Sequence, residues 1–116
     1  MDNGLNEFWA AMERLVADSA LVIDRPKGSH HPRYPEIVYP LDYGYLEGTT
    51  AIDGGGVDVF CGSLPGKPLV GLIATVDVVK KDTEVKLLLG CTAEETAAVH
   101  AFCNQGPFMK GALILR

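Results

Sequence analysis

The sequence predicts an α+β, mainly β fold: a small closed antiparallel barrel with an N-terminal and a C-terminal helix. Three observations lead there. Short apolar or alternating stretches fill the middle of the chain, separated by turns rich in Gly and Pro, which favours antiparallel strands over a parallel α/β sheet. Helical periodicity is confined to two places, residues 5–16 and the segment after Thr92. With 116 residues, 47% of them hydrophobic and 22% charged, the chain has the length of one domain and the composition of a folded one.

Taken in order, Leu5, Phe8, Trp9, Met12, Leu15 and Val16 repeat at i, i+3, i+4, i+7 and predict an amphipathic helix, with Asn3 as its cap. Residues 20–23 read as a short strand ending at Asp24. From Asp24 to Tyr45 prolines fix φ and remove donors, so the segment is extended and loop-like, with short strands at 36–39 and 41–46. Residues 57–61 and the long apolar run 69–79 read as buried strands. Residues 82–89 alternate, with Asp82, Glu84 and Lys86 on one face and Thr83, Val85, Leu87 and Leu89 on the other. Thr92-Ala93-Glu94-Glu95 is a capping box that opens the second helix, and Gly106-Pro107 stops it. Residues 112–115 form a last strand.

The chemistry concentrates in Ile52-Asp53-Gly54-Gly55-Gly56-Val57-Asp58-Val59. Glycines allow a tight turn, the flanks read as buried strand, and two aspartates are held at the mouth of the loop. Mg²⁺ favours such oxygen ligands together with water and phosphate; a glycine hairpin with two solvated acids accounts for the same residues. Asp77 interrupts an apolar run, where it either faces water at a strand end or meets a cation. Arg25, Lys27 and Arg33, with His30 and His31, make a cationic loop that suits an anionic ligand or is ordinary surface charge. His30 and His31 point to opposite faces of an extended chain and read as structural.

The net charge of −5 argues against a protein that tracks a nucleic-acid backbone. No basic-then-apolar leader opens the chain, and no run of about 18 apolar residues occurs, so no membrane partner is expected. Cys61, Cys91 and Cys103 are odd in number and lack CxxC spacing, which reads as reduced, mostly buried thiols in a cytoplasmic protein.

Four motifs in order resemble the soluble (family I) inorganic pyrophosphatases, in a shortened and divergent form. Tyr39-Pro40-Leu41-Asp42-Tyr43-Gly44-Tyr45 is similar to that family's Tyr-Pro-x-Asn-Tyr-Gly-Phe/Tyr. Asp53-Gly54-Gly55-Gly56-Val57-Asp58-Val59 is similar to its acidic signature Asp-Gly-Asp-Pro-x-Asp-Val. Asp24-Arg25-Pro26-Lys27-Gly28, then Arg33-Tyr34, resembles its Glu-Ile-Pro-x-Gly followed by Lys-Tyr. Asp77 and Asp82 keep the spacing of two metal-binding aspartates, with Lys86 as the lysine beyond them after a two-residue slip.

The resemblance implies an OB-like pyrophosphatase-type barrel and Mg²⁺-dependent hydrolysis of a small anionic phosphoanhydride, most simply pyrophosphate. It implies Asp53, Asp58 and Asp82 at a first Mg²⁺ site, Asp77 with Asp82 at a further one, and Asp24 in place of a glutamate that touches a metal. Arg33, Lys86 and Tyr43 would bind phosphate oxygens, and Asp53, Asp58 and Lys86 would carry catalysis. Clustered cations acidify a water and neutralise the leaving phosphate. There are departures. Gly55 stands where the family has its proton-accepting aspartate, and Gly56 where it has proline. A segment carrying a phosphate-binding arginine is missing, and the late Tyr-Lys pair has no match between Ala101 and Lys110. Glu84 or Asp24 is then the candidate proton acceptor, and activity is weak or redirected to another diphosphate. Two further readings compete: a non-catalytic metal- or phosphate-binding module, favoured by Gly55, and a homo-oligomeric structural protein that buries its apolar C-terminal strand.

Overall fold

A computed structural model describes residues 3–116 of the chain. Its order is α1 (Leu5–Ala17), β1 (Ala20–Arg25), β2 (Asp42–Glu47), β3 (Val57–Cys61), β4 (Leu69–Asp77), β5 (Asp82–Leu89), α2 (Ala93–Phe102) and β6 (Met109–Leu115). The strands make one six-stranded sheet in the order β1-β2-β3-β5-β4-β6. All neighbours are antiparallel except β3 and β5, which run parallel. The sheet is therefore open, with β1 and β6 as its edges, and the expected closed barrel is corrected. The stretch 36–39, read above as a short strand, contributes only the isolated bridge His30↔Val38. Pro32, Pro35 and Pro40 surround it, and prolines cannot donate to a ladder.

Element ends differ from expectation for local reasons. The N-cap of α1 is Gly4 at φ 82°, with no side-chain cap, because Asn3 itself is left-handed at φ 52°. β4 stops at Asp77 rather than residue 79, since Asp77 Oδ1 accepts the N–H groups of Val79 and Lys80, each at 3.0 Å, and bends the chain. β6 starts at Met109 rather than residue 112, because its ladder with β4 runs from Asp77↔Met109 to Gly71↔Leu115. The capping box of α2 forms as expected: Glu95 N donates to Thr92 Oγ1 at 3.1 Å, and Thr92 N donates to Glu95 Oε1 at 2.9 Å.

Strand alternation splits the core across the two sheet faces. Val59, Leu87, Leu46 and Leu72 meet Trp9 of α1 on one side. Phe60, Leu88 and Ile73 meet Val99 and Cys103 of α2 on the other. Each of these buried aliphatic or aromatic side chains contributes about 1.5–3 kcal/mol. Phe8, by contrast, is exposed and meets Trp9 edge-on at 5.2 Å between centroids, so only half of the Phe-Trp pair is core. All three cysteines are buried and unpaired. Burial pushes their thiols up, Cys91 to about 11. His100 ties α2 to β6 through Gly111 O at 3.1 Å. Among the described residues no helix is long and apolar enough to cross a membrane.

The α2 face matters for function because the period of two continues past the core. With Phe60, Leu88 and Ile73 pointing to α2, Asp58, Glu84, Lys86, Thr75 and Asp77 point to the same side further along their strands.

Candidate active site

Where α2 no longer covers the sheet, that face opens into a cleft of about 430 Å³. Lys86 lies at its centre and is only 8% exposed. Its Nζ donates to Glu84 Oε2 at 2.9 Å, Asp58 Oδ2 at 3.0 Å and Tyr43 OH at 3.2 Å. Topology makes this contact: the parallel β3–β5 ladder sets Asp58 beside Lys86, and Glu84 shares its strand face. Burial alone would lower the Lys86 pKa, but Tyr43, Asp58 and Glu84 outweigh it and the ammonium is held well above its usual range. Tyr43 is also pushed up, by burial first and by Asp58, with Lys86 opposing.

The β4–β5 hairpin closes one end of the cleft. Asp77 and Asp82 are direct cross-strand partners there. Lys80, in the turn between them, reaches Asp82 at 3.8 Å. Asp53 comes from the glycine loop, where Ala51 N donates to Gly55 O at 2.6 Å and Gly55 N to Asp53 Oδ1 at 2.9 Å. Gly54 supplies the left-handed step at φ 88°. A Cβ on Gly56 would lie 2.8 Å from Leu46 O, so the loop packs its backbone directly on β2.

Asp24 and Arg25 come from β1. A bulge between Ile23 and Arg25 sets Arg25, rather than Asp24, opposite Tyr43. The guanidinium lies 5.4 Å from the Tyr39 ring centroid and 5.8 Å from that of Tyr43, and donates to Tyr39 OH. His31 flanks it, stacked on Tyr39 with centroids 6.4 Å apart. Burial, then Arg25, holds the His31 imidazole below its usual pKa.

Of the residues singled out in the sequence, Asp24, Asp53, Asp58, Asp77, Asp82, Tyr43 and Lys86 all line this cleft. Arg33 is not brought in. Its N–H donates to His31 Nδ1 at 3.0 Å in a tight turn, and its guanidinium lies 5.8 Å from the exposed Tyr34 ring. Arg25 and His31, named in the sequence only as part of a cationic loop, also line the cleft, as does Lys80, which the sequence did not single out. The bulge that aims Arg25 has no periodic signal, and Lys80 depends on where the hairpin turns.

Among the described residues no three His, Cys, Asp or Glu side chains converge closely enough to hold a metal ion. The carboxylates ring the cleft and several are engaged: Asp58 by Lys86, Asp53 and Asp77 by backbone amides. All six acidic side chains that line it, Glu84 included, are hard oxygen donors, set against three Arg and Lys side chains.

No family model matches the sequence, and no curated protein matches it. In structure, the chain superposes on an inorganic pyrophosphatase from Coxiella burnetii with a TM-score of 0.61, over 83% of each chain and at 15% identity. The fold is that of the inorganic pyrophosphatases. An inorganic phosphatase from Anaplasma phagocytophilum superposes with a TM-score of 0.56 and 17% identity, over 82% of this chain and 81% of that one. The pyrophosphatase-like fold that the four motifs implied is therefore borne out, though not as a closed barrel, at an identity too low to carry an activity. What the pyrophosphatase fold does here rests on the cleft.

Proposed function

We propose that the chain is a Mg²⁺-dependent phosphoanhydride hydrolase acting on inorganic pyrophosphate or a related small diphosphate. The observation that carries this reading is the charge layout of the cleft, six carboxylates against three Arg and Lys side chains, with Asp77 directly opposite Asp82. Like charges in that arrangement destabilise one another, and a free diphosphate would be repelled. A hard divalent cation relieves both. Mg²⁺ uses one or two carboxylates and leaves its other positions to water and phosphate oxygens, so a ring of spaced acids fits an ion that arrives with the diphosphate. Asp53, Asp58, Asp77, Asp82 and Asp24 are the residues that would hold it. When bound, the cation supplies an acidified water and neutralises charge on the departing phosphate.

The chain's own groups do the rest. Lys86 Nζ exchanges a carboxylate for a phosphate oxygen, and Tyr43 OH donates to another. Glu84, 2.9 Å from Lys86, or Asp24 holds the proton released by the attacking water in place of the missing aspartate at Gly55. General bases contribute about 10²–10⁴-fold, so a less well-placed substitute gives slow turnover. Phosphate release from pyrophosphate at pH 8, with and without excess Mg²⁺, tests the reading against Asp58→Asn. Mg²⁺-dependent release that is lost in the variant supports it; equal release from both proteins removes it.

Gly55 favours a second reading, a binding module that keeps the cation and phosphate sites without hydrolysis. Tight binding of pyrophosphate with no release in the assay above would select it. We also propose a homo-oligomer through the edge strand β6, where Ile114 and Leu115 are exposed, and a reducing, cytoplasmic setting suited to three unpaired thiols. A monomeric mass in solution would remove the oligomer.

A further inference from the structure

Arg25 differs from the other cations of the cleft. Lys86 is enclosed by Glu84 and Asp58, and Lys80 points its ammonium toward Asp82 with a side chain that is 68% exposed. Among the described residues no carboxylate lies within ion-pair distance of the Arg25 guanidinium. A half-buried cation without a counter-ion, in a cleft of six carboxylates, is an arrangement that packing alone does not explain.

Its mounting is built. The β1 bulge changes the register so that Arg25 pairs across the strands with Tyr43; in regular pairing Asp24 would take that place. Bulges re-aim side chains in this way. Two tyrosine rings fix the guanidinium plane, and the hydroxyl of Tyr39, itself 5% exposed, accepts from one nitrogen. A guanidinium has five N–H donors, so a fork remains for two oxygens of one phosphoryl group. Tyr43 also accepts from Lys86, and its ring centroid lies 5.8 Å from the Arg25 guanidinium and 5.5 Å from Lys86 Nζ, so both cations meet at the same phenol.

We propose that Arg25 is the phosphate clamp of this cleft, taking one terminal phosphoryl group of the diphosphate in a bidentate grip while Lys86 takes an oxygen nearer the carboxylates. The assignment rests on the hydrolase reading for its ligand, and it moves the arginine role away from Arg33, which the sequence resemblance had nominated.

The test is calorimetric titration of methylenediphosphonate, a diphosphate that cannot be hydrolysed at its bridge, in the presence of Mg²⁺. Arg25→Met keeps the apolar stem against the tyrosines and removes the charge; Arg25→Lys keeps the charge and removes the fork. Arg25→Met weakens binding by about 10–100-fold, the loss expected for a charge-assisted pair of hydrogen bonds, and Arg25→Lys recovers only part of it. Lys110→Met, at an exposed lysine outside the cleft, leaves binding unchanged. Melting temperatures check that each variant folds, and Arg25→Lys carries the test if Arg25→Met does not. Wild-type affinity in a folded Arg25→Met or Arg25→Lys protein overturns the clamp and leaves the hydrolase reading intact. A loss in Arg33→Met with none in Arg25→Met returns the role to Arg33. Failure of the wild-type protein to bind the analogue overturns both the clamp and the reading it rests on.

Discussion

Replacing Lys86 by Met removes the charge that holds the cleft together while nearly conserving side-chain volume. Removing one partner of a fully buried ion pair costs about 3–5 kcal/mol, because the remaining charge is left desolvated. Here the Asp58 and Glu84 side chains keep 23% and 19% of their exposure, so water offsets part of that cost. A loss of about 2–4 kcal/mol follows. At about 2.1 cal/mol/K of unfolding entropy per residue, a chain of this length loses about 4 °C per kcal/mol, or about 8–16 °C in melting temperature. Differential scanning calorimetry of Lys86→Met and of Lys86→Met/Glu84→Gln reads this directly. The double variant recovers part of the loss, since it neutralises one of the two stranded carboxylates. Mg²⁺ stabilises Lys86→Met more than the wild type, because Asp58 and Glu84 then lack their ammonium. A shift below about 3 °C, or strictly additive single and double variants, would refute the view that Lys86 is a buried electrostatic hub.

Gly55→Asp restores a carboxylate in the glycine loop. Its Cβ meets only Asp53 Oδ1, at 3.3 Å, on an exposed side chain that can give way. Phosphate release rises at least about tenfold within the range of a general base, whereas Gly56→Asp, with its Cβ 2.8 Å from Leu46 O, lowers stability. Glu95 is held below its usual pKa of 4.5, first by the Thr92 and Ser63 backbone N–H groups. Its contribution is present above that pH and is lost as pH falls through the folded value. Glu95→Gln therefore costs about 0.5–1 kcal/mol at pH 7 and progressively less below pH 4.5 in urea titrations, the low end because the carboxylate faces solvent. Iodoacetamide at pH 7.5 leaves Cys61, Cys91 and Cys103 unlabelled in the native protein and labels all three in guanidinium, because burial keeps them as thiols.

Much of the site was legible because it follows a period of two. Once Phe60 and Leu88 are core, Asp58, Lys86 and Glu84 must share their face, and the capping box at Thr92 tells where α2 begins to cover it. The parallel β3–β5 pairing that joins Asp58 to Lys86 is a long-range choice, and no local pattern encodes it. The short strand expected at 36–39 failed for a local reason: its residues are strand-like, but the surrounding prolines and the His31 turn leave it a single bridge. Arg25 was hidden by one inserted residue in β1, since a bulge reverses the facing that simple alternation assigns. Asp77 was ambiguous between water and a cation, and it both ends β4 and lines the cleft.

The central claim is that this cleft takes a divalent cation and a diphosphate together, not a cation into a preformed cage. Mn²⁺ binds the same hard oxygen ligands as Mg²⁺ and its free fraction can be read by electron paramagnetic resonance. Titrated alone, Mn²⁺ binds the wild-type protein weakly; with saturating methylenediphosphonate its affinity rises at least about tenfold, and Asp58→Asn loses that gain. Equal Mn²⁺ affinity with and without the diphosphate, or a gain that Asp58→Asn retains, would contradict the account.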